Sequence, residues 1–119
     1  MIINGIEIKK GLIVDKPWID LILNGEKTWE MRTYSTKYRG QFALIEKGTG
    51  LIVGVSTLVD ALNPLLPNEL VLFFEKHRVD YKSQPELLKW NTPWVLDQSH
   101  RITPTKYKHK QGAVIWVNL

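Results

Sequence analysis

The sequence predicts a mixed α+β domain, a curved or closed β-barrel of about six strands with two or three helices. Three observations predict it. Short runs rich in β-branched and apolar residues recur between Gly, Asn and Pro turn signals. Gly54 lies inside the longest of these runs, which marks a bulge or a close backbone approach where a sheet bends. Proline-led segments carry apolar residues at helical spacing between the strand runs. The 119 residues suffice for one domain, 1–119, with its own hydrophobic core, and contain no internal repeat, low-complexity tract or linker.

Taken in order, residues 1–10 alternate weakly around Asn4-Gly5, a short hairpin signal. Residues 11–15 are a β-branched apolar run suited to a buried strand. Lys16-Pro17 opens a helix to about Asn24, with Trp18, Ile19, Ile22 and Leu23 on its apolar face. Gly25, able to take positive φ, ends it. From Thr28 the chain reads as a strand, with Thr28, Glu30 and Arg32 on one face and Trp29 and Met31 on the other. Residues 33–40 lack any stripe and read as a polar loop. Residues 41–46 and 51–59 read as two strands joined by the turn 47–50. Asn68 can cap a helix running from Glu69 to about His77, and Pro85 can open a helical turn over 86–90. Residues 94–96 begin a strand that extends toward Ile102, 104–111 form a basic loop, and the apolar run 113–119 predicts a closing strand buried on both faces.

The stretch around which this scaffold is arranged is 25–32, where Gly25, Lys27, Glu30 and Arg32 follow the pattern G-x-K-x-x-E-x-R. The alternation alone is that of any half-exposed strand, on which a Glu-Arg pair contributes little. With Lys16-Pro17-Trp18 before it, the stretch resembles the signature of the ASCH family, whose fold is similar to PUA domains. The resemblance implies a PUA-like barrel with helices over its ends and a cleft beside it, lined by the signature. It also implies binding of RNA or a modified nucleotide in that cleft. The candidate binding residues are Trp18, Lys27, Glu30, Arg32, Tyr34, Arg39 and Lys108. Lys27 and Arg32 would meet phosphate or a base carbonyl, Glu30 would hold Arg32 or accept from a base, and Trp18 or Tyr34 would stack.

Composition agrees with an anionic partner. The formal net charge is +4, and bases concentrate in 27–39 (Lys27, Arg32, Lys37, Arg39 against Glu30) and in 100–110, where no acid occurs. Two such segments form one positive surface if the fold brings them together, and are otherwise two solvated loops. Tyr34 and Tyr38 beside Lys37 and Arg39 have the makeup of a nucleic-acid contact, although loop tyrosines also pack against their own domain. Without cysteine there is no disulfide framework, thiolate metal site or cysteine nucleophile. The reading is a cytoplasmic protein, with neither a membrane-spanning run nor a basic-then-apolar leader. His77, His100 and His109 lack metal-ligand spacing, and 47–50 is too short for a phosphate loop, so no metal or cofactor is expected.

The alternative is a hydrolase using the same cleft, with Lys27 and Glu30 as catalytic groups. A lysine becomes a base or nucleophile only when its pKa is lowered. Arg32 pushes that way and Glu30 the other, so on charges alone Lys27 is suited to stay positive. The resemblance implies two hydrolytic chemistries. One branch of the family hydrolyses N4-acetylcytidine with the motif lysine, a threonine three positions later and a downstream glutamate, and here Glu30 stands in the threonine position. The other is cleavage of single-stranded RNA, for which His100 or His109 with Lys27 supply acid-base groups.

Overall fold

The computed structural model describes residues 1–119. Its main sheet has six strands: β3 (Lys10–Val14), β4 (Trp29–Arg32), β5 (Gly40–Glu46), β6 (Leu51–Ala61), β7 (Thr92–Lys106) and β8 (Trp116–Asn118). They lie in the order β4-β7-β6-β5-β3-β8, all neighbours antiparallel except β3 and β5. The sheet curls into a half-barrel accompanied by three short helices, α1 (Trp18–Leu23), α2 (Pro67–Leu72) and α3 (Phe74–His77). The two-residue strands β1 (Ile2–Ile3) and β2 (Ile6–Glu7) form the expected hairpin, with Asn4 and Gly5 both at positive φ as a primed turn demands.

Period-two alternation divides the sheet between two cores. On β5, Phe42 and Leu44 point into the hollow of the half-barrel with Ile19, Ile22 and Leu23 of α1, Leu58, Trp94 and Leu96. Their neighbours Ala43 and Ile45 point the other way, into a second core with Ile3, Ile8, Ile52, Val55 and Val117. A third cluster, Met31 with Leu70, Val79 and Tyr81, lies beneath the helical segment. Trp94 and Trp116 stack inside the hollow, centroids 5.8 Å apart at 11°.

Gly54 does what the sequence implied. The β6–β7 register shifts between Ile52 and Gly54, and a Cβ there would stand 2.1 Å from Leu23 Cδ2 and 2.6 Å from the His100 carbonyl oxygen. Its missing side chain is the space into which α1 docks.

Four expectations are corrected. The helix assigned to 69–77 begins at Pro67 and breaks at Phe73. Asn68 does not cap it, because proline takes the first helical position and the Glu69 carboxylate instead accepts the Leu66 N–H at 2.8 Å. The turn at 86–90 is a shorter 3-10 turn, Pro85–Leu87. Strand β7 runs on through Pro104 to Lys106, because β4 pairs with it only at residues 92–95 and leaves a free edge where proline loses no bond. The closing strand is short and lies at the sheet edge, with Val117 buried and Asn118 exposed. The apolar run before it includes Val114, 74% exposed.

Replacing Gly54 by Ala is expected to cost about 1–3 kcal/mol in a denaturant titration, since one contact is with backbone that cannot rotate away. An unchanged midpoint contradicts the close packing of α1.

Candidate functional site

Strand β4 reaches the site through the end of α1. Gly25, at φ 79°, donates to the Ile22 carbonyl at 3.0 Å, and Glu26 N–H donates to the Leu21 carbonyl at 2.9 Å. These are the paired bonds of a glycine-terminated helix. Lys27 N–H takes the Leu21 carbonyl as well, at 3.0 Å, so the helix end fixes the lysine backbone. From the other side, Thr28 N–H donates to the Lys76 carbonyl at 3.0 Å and Arg78 Nε to the Glu26 carbonyl at 3.2 Å.

The alternative reading of β4 as an ordinary half-exposed strand does not hold at its centre, where Glu30 and Met31 are both buried. Lys27 is only 1% exposed. Its Nζ donates to the His77 carbonyl and lies 3.7 Å from Glu30 Oε1. Glu30 Oε2 accepts from Arg32 Nη2 at 2.8 Å and Nε at 3.2 Å. Arg32 Nη2 also donates to the Ile13 carbonyl at 2.9 Å, and its guanidinium lies 5.6 Å from the Trp94 ring centroid. Strands β3 and β4 are not paired in the sheet, so Arg32 spans the open side of the half-barrel. Lys27, Glu30 and Arg32 thus form a continuous charged row with one positive charge in excess.

The row lines a cleft of about 310 Å3. Ile13, Val14 and Asp15 of the β3 end, Trp18, Val79, Leu87, Trp90 and Val114 form its walls, with Lys47 at its rim. Lys47 and Asp15 face each other there at 3.9 Å, both well exposed.

Burial decides the lysine's proton affinity. Desolvation lowers the Lys27 pKa from 10.5 to about 8, opposed by the neighbouring Glu30 carboxylate and assisted by Arg32. The balance of neighbouring charges, which predicted a firmly positive lysine, is outweighed, although the amine still carries its proton at neutral pH. His77 is held below the ordinary histidine value, first by burial. Its Nδ1 accepts the Val79 N–H at 2.9 Å, which leaves Nε2 to donate to the Leu70 carbonyl. Tyr81, whose hydroxyl donates to the Trp90 carbonyl, is raised above the usual phenol range by burial and then by the Glu30 charge.

Of the candidates from sequence, Trp18, Lys27, Glu30 and Arg32 meet at the cleft. Tyr34 stands outside its lining, edge-on to Trp94 at 6.0 Å. Arg39 is turned to the Thr36 and Tyr38 carbonyls and to Asp60, and Tyr38 donates to the Gln41 carbonyl and packs on Trp116. Lys108 is exposed and lines neither the cleft nor the hollow beside it. The basic segment divides: Arg101 bonds Asn24 near α1, whereas Tyr107 and His109 line that adjoining hollow. Sequence reasoning missed Asp15, Lys47, Val79, Leu87, Trp90 and Val114. Only Trp90, an indole beside a proline-led turn, offered a signal. No group of three His, Asp or Glu side chains is placed to hold a metal, and no helix is long and apolar enough to cross a membrane.

A folded-state pKa below the unfolded one means that the unfolded chain holds more protons between pH 8 and 10.5, so stability rises with pH across that window. The gain amounts to about 3 kcal/mol over the full window. The difference in unfolding free energy between wild type and Lys27→Met is expected to show this slope, whereas a pH-independent difference contradicts a desolvated lysine.

The family model described as "ASCH domain" matches residues 12–97. None of the curated proteins matches the chain. Among solved structures, the fold is similar to the ASCH protein of Zymomonas mobilis, with TM-score 0.70 and 12% identity over 92% of this chain and 86% of that one. A serine-to-alanine variant of the same protein gives TM-score 0.72 and 13% identity over 92% and 87%. A tyrosine-to-phenylalanine variant gives 0.70 and 12% over 95% and 91%.

Proposed function

The chain belongs to the ASCH domain family, and from that premise we propose that it binds RNA or a modified nucleotide in the cleft lined by Lys27, Glu30 and Arg32. The observation that carries this reading is the buried charged row at the floor of a hollow walled by Trp18 and Trp90. Placing an ammonium out of water is costly, and an apolar side chain of similar volume would fill the position at less cost. A site that must meet an anion or a carbonyl oxygen accounts for the expense. Lys27 gives one hydrogen to the His77 carbonyl and faces the Glu30 carboxylate at 3.7 Å, which leaves a hydrogen for a ligand. The excess positive charge attracts phosphate, and the two indoles offer faces for a base.

Titration with a short single-stranded RNA tests this reading. Lys27→Met and Arg32→Ala are each expected to weaken binding about 10–100-fold, the size of a lost charge-assisted hydrogen bond, and wild-type affinity is expected to fall steeply with salt. Variants that bind as wild type does refute it.

One observation favours a hydrolytic use of the same cleft. With its pKa near 8, half of the Lys27 amines are neutral at mildly alkaline pH. A neutral amine beside Glu30 can take the proton from a water attacking the amide carbon of an acylated cytidine such as N4-acetylcytidine and return it to N4 as the C–N bond breaks, which releases acetate and cytidine. Glu30 then occupies the place of the threonine that the amidohydrolase branch uses. Acetate release is expected to rise from pH 7 to 9 and to vanish in Lys27→Met, and a flat pH profile contradicts Lys27 as the base.

A further inference from the structure

We propose that the cleft is the first of two adjoining subsites, so that a single-stranded RNA of two or more linked nucleotides fills both where a single nucleotide fills only the first. The inference rests on the nucleotide reading above and specifies the substrate class. A second hollow of about 450 Å3 lies next to the cleft, and the two share Ile13, Lys47 and Val114 as a common wall. Nothing in the sequence motif pointed to it.

The chemistry of this hollow repeats that of the first in altered form. Its aromatic wall is Tyr107 with His109, whose rings lie 5.8 Å apart at 69° and are tied by a 2.8 Å bond between the Tyr107 hydroxyl and His109 Nδ1. Bonded in this way, the pair is held in place and can receive a base by stacking. Gly48 and Gly50 line it as well, at φ 82° and 69°, and no atom stands within 4 Å of where a Cβ would be on either, so backbone alone forms that side.

The wall between the hollows carries the cation that a linking phosphate requires. Lys47 is 66% exposed and meets Asp15 only at 3.9 Å, too loose and too wet a pair to hold it against a phosphodiester. Lys106, Lys108 and Lys110 flank Tyr107 and His109 in a segment without an acid. Two aromatic-lined hollows separated by an exposed lysine fit two bases and the phosphate that joins them.

Calorimetric titration with cytidine 5′-monophosphate and with tetracytidylate tests the proposal. Wild type is expected to bind the tetramer about ten-fold or more tightly than the monomer, one stacked base and one phosphate contact apart. Tyr107→Ala and His109→Ala are expected to remove that excess and leave monomer affinity unchanged, while Arg32→Ala weakens both ligands. His109 is exposed, so its variant carries the test even if Tyr107→Ala fails to fold. Tetramer affinity unchanged in His109→Ala and in folded Tyr107→Ala, but lowered in Arg32→Ala, overturns the second subsite and leaves the first intact. Absence of binding by either probe to wild type removes the nucleotide reading and the second subsite together.

Discussion

A lysine ammonium held almost entirely out of water, between a carboxylate and a main-chain carbonyl, is the constraint on which the rest of this structure depends. Lys27 tolerates that position because Glu30 and the His77 carbonyl replace part of its lost hydration. Each partner must itself be fixed. Glu30 is clamped by the two donors of Arg32, and Arg32 is anchored on the Ile13 carbonyl. The His77 carbonyl lies at the end of α3, where Arg78 adopts the left-handed conformation and turns the chain. Helix, edge strand and opposite strand therefore converge on one buried charge.

The scaffold explains why such a convergence is possible. A half-barrel leaves β4 without a second neighbour, so one edge of it stays open and Arg32 can reach across to β3. The hydrophobic cores on either side of β5 pack both faces of the sheet, and α1 is seated in the hollow by the absence of a side chain at Gly54. Seated there, the short glycine-ended helix delivers Lys27 to a definite place through the Leu21 carbonyl. Where the sheet does not close, side chains do, and the cleft occupies the interval that Arg32 bridges.

Much of this was legible in the sequence, for local reasons. The hairpin at Asn4-Gly5, the helix end at Gly25, the bend at Gly54 and the shared face of Glu30 and Arg32 follow from φ preferences and period-two alternation. The cleft walls were not legible, since Val79, Leu87 and Val114 reach the site through long-range folding, and an apolar residue carries no mark of the surface it lines. The depressed proton affinity of Lys27 was not legible for a related reason: neighbouring charges can be counted along the chain, whereas burial, the larger influence, is a property of the fold. The closing strand failed because its apolar run serves two purposes, pairing at Val117 and lining the hollows at Val114.

Trp94 occupies an unusual junction, since Arg32 lies over it, Tyr34 meets it edge-on and Trp116 stacks against it. Through that one indole the charged row touches the last strand: a change in the position of Arg32 is felt at Trp116, and so at the edge of the sheet, through two ring contacts and no hydrogen bond.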